Sequence, residues 1–328
     1  MQPSAARSKA DGPAPVDSLA GDVQYYLALT PRQLPSRYLY DALGSALFEA
    51  ICELPWYRIT KAERALLERH GRAVLAHADP LSLIVELGPG SGDKLAALIG
   101  AGGIRAHRPA VHLVDVSAAA LDLATRTLAA LDADLTVVSH EATYESGLVD
   151  AMARRGTAGR ALALFLGSNI GNFDRPGAAE FLYGVRAALA GGDTLLIGTD
   201  LVKPEPALLL AYDDPLGVTA AFNRNLLVRI NRELGADFDV SAFRHCALWN
   251  ATESRVEMHL VAARAQRVRI PGASLEVAFA EGETIWTESS YKYRPDEVVR
   301  MLERAGFHLV EQWIDDDSGF ALTLVEAS

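Results

Sequence analysis

Residues 86–94 read Glu86-Leu87-Gly88-Pro89-Gly90-Ser91-Gly92-Asp93-Lys94 and follow directly on the apolar run SLIVE at 82–86. Three glycines alternate with other residues where a strand should end and a helix begin. A turn of this kind needs glycine because the chain bends tightly and exposes its backbone to a ligand, which a β-carbon would obstruct. The spacing separates ligand classes. A nicotinamide fingerprint is G-x-G-x-x-G, whereas here an acidic residue precedes G-x-G-x-G and the third glycine comes one residue early. The bland alternative is a glycine-rich turn that merely ends a strand. No G-x-x-x-x-G-K-[ST] segment for a nucleoside triphosphate occurs anywhere in the chain.

Outward from this loop, short apolar runs alternate with helix formers between residues 61 and 201. Residues 82–86 (SLIVE), 111–116 (VHLVDV), 135–138 (LTVV), 161–166 (ALALFL) and 194–198 (TLLIG) read as strands, and 117–131 reads as a helix with Ser117 as N-cap. Strands separated by helices predict an α/β, Rossmann-like doubly wound parallel sheet whose ligand lies at the carboxyl ends of the strands. Asp115 closes the second strand, where a carboxylate can accept ribose hydroxyls. After Lys203-Pro204 the rhythm changes to a long amphipathic helix at 216–234 and then consecutive strands (CALWNA, RVEMHLVAA, RVRI, LEVAFA). Consecutive strands suggest an antiparallel sheet in a second, α+β module. Residues 17–60 are assigned to that module together with 202–328. Pro295 opens a further helix that stops at Gly306, and HLVEQWID with GFALTLVEA reads as a closing hairpin that could return to the main sheet. Residues 1–16 read as a disordered tail.

The 328 residues are 50% hydrophobic and 22% charged, with a formal net charge of −11 and no dense Lys/Arg run, so a nucleic-acid partner is not expected. Two distant cysteines, Cys52 and Cys246, and eight histidines without ligand spacing give no metal site and fit a cytoplasmic setting. The opening stretch lacks the apolar run of a signal peptide, and no window is apolar enough to span a membrane.

The glycine loop resembles the first motif of S-adenosylmethionine-dependent methyltransferases. The segments YDALGSALFEAICELPWY, ELGPGSGDK, FLGSNIGNF, AYDDPLGVTAAFNRNLL, RVEMHL and TESSYKY, in that order, resemble the histidine-specific methyltransferases that make hercynine for ergothioneine biosynthesis. The resemblance runs from about Tyr25 to Val325. It implies a methyltransferase sheet over 61–201 with a substrate-binding domain from both ends of the chain, S-adenosylmethionine as cofactor, and L-histidine as a small-molecule substrate of a monomer. It places the cofactor against Tyr40, Glu86, Gly88, Gly90, Gly92, Lys94 and Asp115, with Glu86 near the methionine end. The adenine would meet Thr143 and Tyr144, where His140-Glu141-Ala142-Thr143-Tyr144 departs from the bacterial pattern of an Asp and an aromatic and is closer to the G-T-Y form of fungal relatives. Histidine would lie against Tyr57, Gly167, Asn172, Tyr212, Met258, Glu288 and Ser290, with Tyr57 and Asn172 orienting the reacting amine. Glu288 can accept an imidazole N–H, and in a strand Ser290, two residues on, shares its face. Other members of the family methylate other amino acids, including prenylated tryptophan, so a different amino acid is the first alternative. A nicotinamide oxidoreductase and a non-catalytic binding module are the others.

Overall fold

The computed structural model describes residues 18–102, 109–156 and 159–328. The tail at 1–16 lies outside them. The chain opens with helix α1 (Leu19–Leu27), the two-residue strand β1 (Arg32–Gln33) and helix α2 (Ala42–Glu53). The alternating segment follows as α3 (Ile59–His77), β2 (Leu81–Leu87), α4 (Asp93–Gly102), β3 (Ala110–Asp115), α5 (Ala118–Leu131), β4 (Val137–Glu141), α6 (Tyr144–Ala153), β5 (Arg160–Phe165), α7 (Arg175–Ala188) and β6 (Thr194–Asp200). Then come α8 (Glu205–Tyr212), α9 (Val218–Leu234), β7 (Phe243–Asn250), β8 (Arg255–Ala262), β9 (Gln266–Ile270), β10 (Leu275–Phe279), β11 (Thr284–Tyr291), α10 (Pro295–Arg304), β12 (Phe307–Asp315) and β13 (Phe320–Ala327).

The contacts divide the chain into two compact units. One comprises Ile59–Val202 and Lys292–Ser328, the other the described residues up to Arg58 with Lys203–Tyr291. Residues 292–328 therefore group with the parallel sheet, whereas the sequence pattern places them with the second module and leaves open that the closing hairpin returns to the main sheet. The reason is register: β13 pairs antiparallel with β6 from Phe320↔Asp200 to Glu326↔Thr194, and β12 pairs with β13.

In the larger unit the seven strands run β12-β13-β6-β5-β2-β3-β4. The order reverses at β2, which pairs in parallel with β5 on one side and β3 on the other. Strands β5 and β6 are buried along nearly their whole length, which is why RALALF and TLLIGTD read as continuous apolar runs without alternation. Strand β4 lies at the edge and is more exposed, and it begins at Val137, two residues later than the pattern of apolar residues suggested. Ser117 caps α5 by accepting from the Ala120 N–H at 3.3 Å.

The smaller unit carries a four-stranded sheet in the order β1-β11-β8-β7 and the hairpin β9-β10. Helix α8 is an element that the sequence pattern did not signal, because EPALLLAY is apolar almost throughout and lacks a polar face. Helix α9 starts at Val218, two residues inside the predicted start. Asp214 accepts from the N–H groups of Leu216, Val218 and Thr219, and Gly217 takes φ +74°.

One buried polar pair sits in the larger unit away from the glycine loop. His140 Nε2 lies 3.0 Å from His112 Nδ1, between β3 and β4. Burial, with His140 and Arg154 nearby, pushes His112 down to about 4, and burial also lowers His140. An unfolded chain binds protons at these histidines near pH 6.5 while the native pair does not, so stability falls as pH drops from about 6.5 towards 4. The thermal midpoint should decline between pH 7 and 5.5, and His112→Leu should flatten that decline when melting is followed by circular dichroism.

Candidate active site

The glycine loop leaves β2 and enters α4 at Asp93, so the first N–H groups of α4 border the loop. Gly88, Gly90 and Gly92 all adopt positive φ, at +75°, +55° and +80°. Gly92 is constrained twice. Besides its φ, a β-carbon there would lie 2.9 Å from the Ala124 Cα of α5, so glycine is what lets α5 approach the turn.

Glu86, the penultimate residue of β2, is buried, and neither carboxylate oxygen has a hydrogen-bond partner. Burial raises its pKa to about 8; Lys94 works against that shift, while Glu63 and Asp115 add to it. Asp115, at the end of β3, accepts from the Ser117 N–H at 2.8 Å, and burial raises its carboxyl. An unpartnered buried carboxylate, a glycine backbone and a second carboxylate at the next strand end fit an amino-acid nucleoside, with an ammonium for Glu86 and ribose hydroxyls for Asp115. These residues could hold S-adenosylmethionine.

Further parts of the same unit converge on this loop. A β-carbon on Gly88 would come within 3.0 Å of the Tyr144 hydroxyl and 2.8 Å of Asn169 Nδ2. The Tyr144 ring meets the Phe165 ring edge-on at 5.3 Å, and burial pushes its phenol up. Thr143 is the N-cap of α6, so its hydroxyl accepts from the Ser146 N–H. Lys94 directs its ammonium to Glu63 at 2.9 Å. Glu63 also accepts the Gly167 N–H on both oxygens, at 2.9 and 2.8 Å. Gly167 and Ser168 take positive φ after β5, and Asn172 ends a short 3-10 helix from Asn169.

The smaller unit gathers a second set. Tyr40, Phe48, Tyr57, Tyr212 and Phe222 form an aromatic cluster with neighbouring ring centroids 5.4–6.3 Å apart. Tyr40, expected against the cofactor, is thus carried by this unit, whereas the other expected cofactor residues are in the larger one. Tyr212 ends α8 and donates to Ser290 Oγ at 2.8 Å. Glu288 stands directly opposite Met258 across β11 and β8, and Ser290 opposite Val256, so Glu288, Ser290 and Met258 share one face. His245 donates through Nε2 to the Tyr212 carbonyl at 2.7 Å and lies 2.9 Å from Asn223 Nδ2, which fixes the end of α8. Three polar residues of AYDDPLGVTAAFNRNLL are therefore architectural: Asp214 caps α9, Asn223 reaches His245, and Asn225 donates to Asp41, the N-cap of α2, at 2.7 Å.

The model of the family described as "Histidine-specific methyltransferase, SAM-dependent" matches residues 19–327. The chain belongs to that family. A histidine N-alpha-methyltransferase of Mycobacterium tuberculosis is 43% identical over 314 residues, and one of Mycolicibacterium smegmatis is 42% identical over 313, each alignment covering 94% of both chains. An L-tryptophan methyltransferase of Psilocybe serbica is 27% identical over 327 residues, covering 90% of this chain and 89% of that one. Members of this family use S-adenosylmethionine, in agreement with the loop chemistry. Glu63, Asn169 and His245 are participants that motif reading passed over. Glu63 carried a signal, since it falls on the same face of α3 as the buried Ile59, Ala62, Leu66 and Leu67.

Glu63→Gln should be destabilising by about 1–3 kcal/mol in urea unfolding, because it removes the buried charge that faces the Lys94 ammonium and turns one of the two acceptors of the Gly167 N–H into a donor. An unchanged midpoint would show that the buried ion pair carries no such weight.

Proposed function

We propose that the protein transfers methyl groups from S-adenosylmethionine to the α-amine of L-histidine, repeating the transfer until the nitrogen is quaternary and hercynine is formed, the entry step to ergothioneine. The observation that carries this reading is the shared face of β8 and β11, where Glu288 stands against Met258 and Ser290 accepts from Tyr212. A buried carboxylate beside a thioether suits an imidazole, which has an N–H to donate and a flat apolar ring. The 42–43% identity to histidine N-alpha-methyltransferases supports the same choice of substrate.

In the larger unit, Glu86 receives the ammonium of the cofactor's methionine part, the backbone at Gly88, Gly90 and Gly92 admits its close approach, and Asp115 accepts the ribose hydroxyls. Lys94, Thr143 and Tyr144 complete that side. Bound there, S-adenosylmethionine supplies a methyl on a sulfonium, an electrophile that needs no further activation. The task left to the chain is alignment and exclusion of water. Neutral hydrogen bonds to the amine and carboxylate of the amino acid are the role proposed for Tyr57 and for Asn172, and contact with the substrate is that proposed for Tyr212 and for Gly167. The amine, with an ordinary pKa of about 8 or higher, must lose its proton before attack. Glu288 selects the side chain, because an imidazole N–H can donate to its carboxylate and an apolar side chain offers no donor.

Incubating the protein with S-adenosylmethionine and a panel of amino acids, followed by mass, should show 42-dalton growth of histidine alone, roughly three methyl groups. Modification of tryptophan instead would move the assignment to the substrate of the Psilocybe relative. The state of Glu86 gives a second test. Protonated in the free protein below about pH 8, it should release a proton when the cofactor's ammonium binds. Calorimetry at pH 7 in buffers of different ionisation enthalpy should detect that release, and Glu86→Gln should abolish it.

A further inference from the structure

Strand β11 pairs irregularly with β8. Ile285 faces Leu260 and Trp286 faces His259, but the next pair is Glu288 with Met258, followed by Ser290 with Val256. Thr287 is the extra residue of a β-bulge; it is buried, and its hydroxyl donates to the Met258 carbonyl at 3.0 Å. In a regular strand, residues 286, 288 and 290 would share one face. The bulge breaks that parity. Trp286 lies on the face of Arg255, Glu257 and His259, whereas Glu288 and Ser290 lie on the face of Val256 and Met258.

The reverse face is built around Trp286. Its indole N–H donates to the Glu288 carbonyl at 2.9 Å, closing the bulge from behind. The Arg255 guanidinium lies 4.5 Å from the indole centroid, and the His259 ring stacks on it at 5.7 Å. Arg255 is held in turn by Glu257 at 2.8 Å and by the Tyr291 hydroxyl at 2.5 Å. Glu257 accepts also from Asn250 at 3.0 Å and from His259 Nε2 at 3.2 Å. Each of these side chains fixes the indole or fixes a group that does, and the indole makes its hydrogen bond to the backbone of Glu288.

We infer that Trp286 is a positioning residue for substrate selection: its indole N–H stabilises the bulge at Thr287 that turns the Glu288 carboxylate onto the face of Met258. Without that donor, the Glu288 carbonyl loses its bond across the bulge and the strand is free to relax towards regular pairing. A one-residue slip would turn Glu288 and Ser290 to the opposite face. The inference rests on the reading of Glu288 as the residue that accepts the imidazole.

The test compares wild type, Trp286→Phe, Glu288→Ala and a protein in which Trp286 is replaced by benzothienylalanine, which keeps a bicyclic aromatic ring against Arg255 and His259 but has no N–H. For each, kcat and KM for histidine, S-adenosylmethionine affinity by calorimetry and the thermal midpoint are measured, together with turnover of leucine as an apolar competitor. The expected result is a rise of tenfold or more in histidine KM for both Trp286 replacements and for Glu288→Ala, with cofactor affinity within twofold and a reduced preference for histidine over leucine. If Glu288→Ala raises KM while the benzothienylalanine protein behaves as wild type, the positioning role is wrong. It is equally wrong if cofactor affinity falls in step with histidine KM, which marks general damage. If Glu288→Ala leaves histidine KM unchanged, it is the assignment of Glu288 to the imidazole that fails. Should Trp286→Phe not fold, the benzothienylalanine protein alone decides.

Discussion

The larger unit is organised around one carboxylate. Glu63 is fully buried on α3, and its two oxygens accept the Gly167 N–H while the Lys94 ammonium stands 2.9 Å away. Lys94 belongs to the first turn after the glycine loop, and Gly167 belongs to the loop after β5. The turns that leave the two neighbouring strands at the reversal of the sheet are thus tied to the same side chain. Strand β6 is built to admit it: a β-carbon on Gly198 would fall 1.8 Å from Glu63 Oε1. Burying an ion pair is costly in itself, and the gain lies in definition of geometry, since a missing partner would leave a bare charge in the interior. The loops at the carboxyl ends of β2 and β5, where this fold places its ligand, are held by that requirement.

The smaller unit solves a comparable problem with backbone. Two strands must present a carboxylate, a hydroxyl and a thioether side by side, and a sheet does this only at the correct parity. The parity of β11 changes within the strand, at Thr287, so the sequence TIWTESSY serves two faces with one run of eight residues. The upstream Trp286 joins a polar network behind the sheet, and the downstream Glu288 and Ser290 turn to the other side. Tyr212, anchored by His245 at the end of α8, meets Ser290 there.

What was legible in the sequence follows from the range of the interactions. The glycine loop, the Ser117 cap and the Pro295 start of α10 are local signals, and each stands in the structure where the residues place it. Signals depending on distant partners were weaker. Helix α8 gives no amphipathic period, edge strand β4 begins two residues later than its apolar run, and the sequence leaves the terminal hairpin between the second module and the main sheet because only its pairing with β6 decides where it belongs. The spacing of Glu288 and Ser290 was readable, since two residues apart in a strand means one face. That Trp286 does not share that face was not readable, because a bulge has no signature in alternation. Glu63 lies on the buried side of an amphipathic helix, but nothing in the helix says that its partners come from the first turn of α4 and the loop after β5, 31 and 104 residues away.

Three glutamates, Glu63 and Glu86 buried and Glu257 half-buried, show how the same side chain is put to different uses by the partners around it. Glu257 is desolvated, yet hydrogen bonds from His259, Asn250 and Arg255 outweigh burial and hold its pKa at about 2. Glu63 has a cation and a backbone N–H supplied by the fold. Glu86 has burial without hydrogen bonds, and its pKa rises to about 8. Folding alone gives no reason to keep a carboxylate in that position, because an apolar residue of similar size would avoid the desolvation cost. The cost becomes useful only if a charged or hydrogen-bonding group from outside the chain completes the set. A carboxylate that the native protein leaves without hydrogen bonds, at the mouth of a glycine turn, is thus the point where the fold's electrostatics require a ligand, and an amino-acid ammonium meets that requirement.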